Sequence, residues 1–105
     1  MNDMQDFVAL MRRKLKGKFP HPDEKDSLLY IFTELAEVAD VLLRISNPDH
    51  KRSHPMNGHL EAHLEKELGD VQLMLCTLAN HFDIDLIEAC ADYCCDKLAK
   101  YGGKG

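Results

Sequence analysis

The chain has no tryptophan, no apolar run approaching the roughly 18 residues that span a bilayer, and no surplus of positive charge. Each absence excludes something. Without a long apolar run, no membrane partner is expected. The 13 Lys and Arg against 18 Asp and Glu leave a formal charge of −5 with the six histidines neutral. No basic stripe is therefore available to displace counterions from a nucleic acid, and none is expected as a partner. Any phosphate-bearing ligand has to be met by local cations or by a metal. Strand-like alternation, internal repeats and low-complexity tracts are lacking as well. Cysteine occurs four times, as Cys76, Cys90, Cys94 and Cys95. The basic stretch MRRKLKGK (residues 11–18) has neither the apolar core nor the cleavage site of a secretory signal, so a cytoplasmic location with reduced thiols is expected. Only Cys90 and Cys94 share a helix face. Two ligands do not make a zinc site, so these thiols are expected to be buried and free.

What is present is helical periodicity. At 105 residues the chain reads as a single domain (1–105) of the all-α class, with its core over about 28–101. Phe7, Leu10, Met11 and Leu15 recur at helical spacing in an N-terminal helix over about 2–16, which Gly17 can end. After the turn FPHPDEKDS, capped by Asp26 or Ser27, a mostly apolar helix runs from about Leu28 to Ile45. The stretch SNPDHKRSHPMNG (46–58) is the one clear loop, and its Lys51 and Arg52 are more simply solvated than functional. A third helix spans about 59–81, and a fourth, capped by Asp83 or Asp85, runs to about Tyr101.

Acids enter the apolar arcs of two of these helices. At 100° per residue, Glu34 falls between Val41 and Ile45, with Glu37 about 60° away. On the third helix, Glu67 falls between Met74 and Leu78 of a stripe that includes Leu60, Leu64, Leu68, Val71, Leu75 and Leu78, with Asp70 about 60° away. Each helix thus offers a pair at i and i+3, neighbours on one face. A lone acidic pair at an apolar edge is usually partnered by Lys or Arg. Two pairs on consecutive helices can face each other across a hairpin, where four carboxylates repel unless a cation joins them. Oxygen ligands suit a hard cation, and Mg²⁺ suits them best when waters and phosphate oxygens complete its octahedron. His63 shares the face of Glu67 and Asp70 and can neighbour such a site. The spacing of His59, His63 and Glu67 is not that of a zinc protease helix, because Glu61 stands two residues after His59 instead of one. No acid has a histidine three residues on, which argues against a carboxylate-bridged di-iron bundle.

The pattern resembles the MazG-like nucleotide pyrophosphohydrolases, over about residues 28–97. That all-α family carries Glu-x-x-Glu on one helix, a loop, then Glu-x-x-Asp on the next. Here these are ELAE (Glu34, Glu37) and ELGD (Glu67, Asp70), with the context EKELGDVQLMLCTLANHFDIDLIEA in register. The resemblance implies a four-helix bundle completed by oligomerisation, as a homodimer or homotetramer. It also implies cleavage of a nucleoside triphosphate to the monophosphate and pyrophosphate, in nucleotide-pool housecleaning. The four acids would hold Mg²⁺ and serve catalysis, Asn80 would contact the nucleotide, and Lys97 would contact phosphate. Family members often carry an arginine a turn beyond that lysine, where this chain has Lys100 and Tyr101. The related phosphoribosyl-ATP pyrophosphatases typically read ADL where this chain has GDV, which separates it from them. The competing expectation is a helical dimer that binds nucleotide or a partner protein without turnover. Base and sugar preference have no motif here.

Overall fold

The computed structural model describes residues 1–47 and 59–103, so the loop expected at 46–58, with Lys51 and Arg52, lies almost wholly outside the described residues. The described residues form four helices and no strand: α1 (Asp3–Lys14), α2 (Glu24–Ser46), α3 (His59–His81) and α4 (Leu86–Tyr101). Among them no helix is long and apolar enough to cross a membrane. Met1–His21 and the described residues from Cys76 onward make one compact unit; the described residues of Pro22–Leu75 make another.

In the first unit, α1 starts where the Asn2 side chain accepts from the Gln5 amide, and it ends before a turn in which Gly17 takes φ +83°. Its buried residues are Gln5, Val8 and Arg12. The expected apolar face is the exposed one instead, with Phe7 70% accessible and Leu10 38%. Polar side chains go inward where hydrogen-bond partners meet them. The Gln5 amide donates to Asn80 Oδ1 at 2.9 Å and to the Ile84 carbonyl at 2.7 Å, and Arg12 Nη2 donates to Thr77 Oγ1 at 3.0 Å.

The C-terminus of α3 closes with a Schellman motif. The Ile84 amide donates to the Ala79 carbonyl at 3.0 Å and the Asp83 amide to the Asn80 carbonyl at 3.3 Å, with Asp83 in the left-handed region at φ 55°. Asp83 is therefore the helix stop, and Asp85 is the cap of α4, accepting from the Glu88 amide at 3.0 Å. A β-carbon at φ 55° is strained where glycine is not. Asp83→Gly is expected to stabilise the fold by about 0.5–1 kcal/mol, a rise of a few degrees in Tm on thermal unfolding. An unchanged or lower Tm would mean that the aspartate side chain offsets its own strain.

In the second unit, α2 begins four residues before the first apolar position. Asp23, not Asp26 or Ser27, is the cap: its side chain accepts from the Asp26 amide at 2.8 Å. Ser27 is fully buried in the first turns, and Ile31 and Val41 are the buried apolar residues of the helix. Much of α2 is accessible, including Leu29 (62%), Phe32 (61%) and Leu43 (73%).

Candidate functional site

Both acidic pairs lie in the Pro22–Leu75 unit, held by the rigid backbones of α2 and α3. Glu67 is buried, Glu34 and Asp70 are half-buried, and Glu37 is exposed. Glu34, Glu67 and Asp70 each offer a carboxylate oxygen, and the three oxygens lie within 4.8 Å of one another. Glu37 joins them through hydrogen bonds with Glu67 and Glu34. The sequence spacing thus brings the four acids together.

Crowding shows in their protonation. Burial, then the charge of Glu37, a hydrogen bond with Glu67 and the charge of Asp70, push the Glu34 carboxyl up to about 7. Glu37 is also raised, first by its hydrogen bond to Glu67. Glu67 moves the other way, lowered first by the hydrogen bond from Glu37 and further by that from Glu34 and by the charges of Lys66 and His63, against the effect of its burial. Glu34 and Glu37 on α2 thus hold their protons more tightly than free carboxyls do, and Glu67 on α3 holds its own less tightly.

The cluster also has vacant acceptors. Glu34 Oε2 and Glu67 Oε2 are buried without a hydrogen-bond partner. An unpaired buried acceptor costs free energy, so such oxygens call for a ligand. An all-carboxylate donor set fits a hard divalent cation of the Mg²⁺ type.

Two cations border the acids. His63 Nε2 lies 3.2 Å from Glu67 Oε1, so the histidine does neighbour the cluster. Lys66 Nζ lies 3.4 Å from Asp70 Oδ2 and 3.6 Å from Glu67 Oε1. Sequence reasoning passed over Lys66, although its i, i+4 spacing to Asp70 signals the pair. The lysine is 70% accessible, so it holds the acids weakly and can swing away.

Asn80 and Lys97 belong to the other unit. The Asn80 side chain accepts from Gln5 Nε2 and donates to the Gln5 carbonyl at 3.2 Å. Lys97 Nζ sits 5.0 Å from the Tyr93 ring centroid and 5.7 Å from that of Tyr101, a cation between two aromatic faces. The thiols correct an expectation: Cys76 is buried, but Cys90, Cys94 and Cys95 are exposed, because α4 has no residue buried within the chain.

A model of the MazG nucleotide pyrophosphohydrolase domain matches residues 23–101. The chain belongs to this family. The MazG match takes in α2, α3 and α4 with both acidic pairs, Asn80 and Lys97, and leaves α1 outside. Membership points to nucleotide pyrophosphohydrolase activity. No curated protein and no solved structure matches the chain.

Proposed function

We propose that the chain is a Mg²⁺-dependent hydrolase that converts a ribo- or deoxyribonucleoside triphosphate to the monophosphate and pyrophosphate, clearing or balancing the nucleotide pool. The observation that carries this reading is the carboxylate cluster on α2 and α3, with its two buried, unpartnered oxygens and its raised Glu34 pKa. Glu34, Glu37, Glu67 and Asp70 would hold the metal, which when bound would neutralise charge on the triphosphate and lower the pKa of water. One of the four acids orients the attacking water and takes its proton, a task suited to carboxyls whose pKa is brought toward neutrality. Lys66 and His63, which neutralise part of the acids' charge, would yield their places to such a cation. Asn80 contacts the nucleotide and Lys97 the phosphates. The working form is a homodimer or homotetramer, which the exposed Leu29, Phe32 and Leu43 of α2 and the unburied α4 support.

The test is product analysis of the purified protein with each common NTP and dNTP, with Mg²⁺ and with chelator, at a concentration where sedimentation reads its oligomeric state. Monophosphate and pyrophosphate are expected only with metal, from a species larger than the 12.0 kDa chain. Folded protein that yields no products from the panel would sink the hydrolase reading in favour of a bundle that binds without turnover. A stable monomer would remove the oligomer.

A further inference from the structure

The Met1–His21 segment and the C-terminal end of α3 enclose a cavity of about 510 Å³. That is within the range of about 300–1,000 Å³ typical of small-molecule sites. Val8 and Ala9 of α1 form an apolar wall, Arg12, Arg13 and Lys16 supply positive charge, and His21 adds an imidazole. Among the described residues that line it there is no carboxylate. In a chain of net charge −5, such a one-sign cluster runs against composition.

Cations in a last helical turn answer the helix dipole, which accounts for some of this charge. It does not account for Lys16, which lies beyond α1, or for an arginine carried inward. Arg12 is only 4% accessible. Its guanidinium is fixed by hydrogen bonds to Thr77 Oγ1 and the Pro20 carbonyl and lies 5.1 Å from the Phe19 ring centroid. A planar cation held this rigidly is pre-organised to receive an oxyanion. His21 is steadied by stacking on His81, ring centroids 5.4 Å apart. Burial, then the charges of Arg12 and His81, lower the His21 pKa, a sign of positive potential around it.

We propose that this cavity binds an organic monophosphate, with the phosphate held by Arg12, Arg13 and Lys16 and the organic part lying against Val8 and Ala9. Binding needs neither a metal nor the four acids. Asn80, the proposed nucleotide contact, also lines the cavity, so the two readings share that residue and are separated by Arg13 and Lys16, which the pyrophosphohydrolase reading does not use.

The test is calorimetric titration of the full chain in excess EDTA with adenosine monophosphate, glucose 6-phosphate and inorganic phosphate. At least one organic phosphate is expected to bind at least about tenfold more tightly than inorganic phosphate, and which of the two does so separates an aromatic from a polar organic part. Arg12 is part of the packing, so the informative variant is Arg13→Gln with Lys16→Gln, at exposed positions. It should fold normally and bind at least about tenfold more weakly. In the parent, the bound dianion should move the His21 ring titration in NMR to higher pH, since it offsets the charge of Arg12. Absence of binding by both organic phosphates at millimolar concentration would overturn the proposal. So would an unchanged affinity in the folded double variant, or equal affinity for inorganic phosphate.

Discussion

Glu67→Gln is expected to keep its fold, with a Tm within about 5 °C of the parent in chelator, and to lose at least about 10²–10³-fold of Mg²⁺-dependent turnover. The thermal stabilisation that the parent gains from Mg²⁺ should vanish with it. Glu67 is the member of the cluster that ties the others together: it receives the hydrogen bonds of Glu37 and Glu34, faces His63 and Lys66, and has one buried oxygen without a partner. Glutamine keeps the volume and one acceptor but replaces the other oxygen with a donor and removes the charge. The metal-free fold tolerates that exchange because it removes one charge from a crowded set of four and with it that charge's repulsion of the others. Metal binding does not, since it needs that oxygen as an anionic ligand.

The same experiment has a pH signature. In the folded chain the Glu34 carboxyl titrates near 7, against an ordinary value of 4.5. The folded state therefore holds this proton more tightly than the unfolded chain does. The stability due to Glu34 is fully present below about pH 4.5 and is lost as pH rises through 7. Mg²⁺ competes with the proton, so its stabilising effect runs the other way. The Mg²⁺-induced rise in Tm should grow from about pH 6 to pH 8, with protons released on binding. In Glu67→Gln both trends should flatten. Full turnover, or an undiminished Mg²⁺ shift, would remove Glu67 from the metal set.

The acids were legible in the sequence because helix geometry alone places i and i+3 on one face, and the pairs at Glu34 and Glu37, and at Glu67 and Asp70, meet as that geometry requires. The bounds of α3 and α4 were legible for a related reason, since periodic apolar residues run to their ends. The start of α2 was not. Its first turn, Glu24–Ser27, is wholly polar and carries no period, so only the Asp23 cap marks it. The buried face of α1 was also hidden. Phe7 and Leu10 give the stronger local signal, yet Gln5 and Arg12 are buried because their partners, Asn80 and Thr77, lie at least 65 residues away along the chain. No local pattern announces a partner at that distance. The exposed thiols of α4 were hidden as well: the apolar period of the helix does not reveal that none of its residues is buried. The protonation of the acids needed distances, and no spacing rule supplies those.

Gln5→Ala is expected to destabilise the fold by about 2–4 kcal/mol, lowering Tm by roughly 10 °C or more. The residue is 1% accessible, and its amide serves three positions that are distant in sequence: it donates to Asn80 Oδ1 and the Ile84 carbonyl and accepts from the Leu86 amide at 2.6 Å. It therefore ties α1 to the last turns of α3 and to the first residue of α4. Truncation deprives all three groups of their partner at once and leaves a void at a position the surrounding helices do not close. Asn80 is the informative member of this network, because it is also the proposed nucleotide contact while its side chain is bonded to Gln5 through both its oxygen and its nitrogen. A double-mutant cycle of Gln5→Ala and Asn80→Ala should give a coupling energy of about 0.5–3 kcal/mol. If Asn80→Ala lowers stability and also raises KM, the residue serves both the fold and the substrate. If stability falls while KM holds, Asn80 is a structural partner of Gln5, and the nucleotide contact must come from elsewhere. A small loss in Gln5→Ala itself, under about 1 kcal/mol, would mean that water replaces these bonds and that α1 is held by Val8 and Arg12.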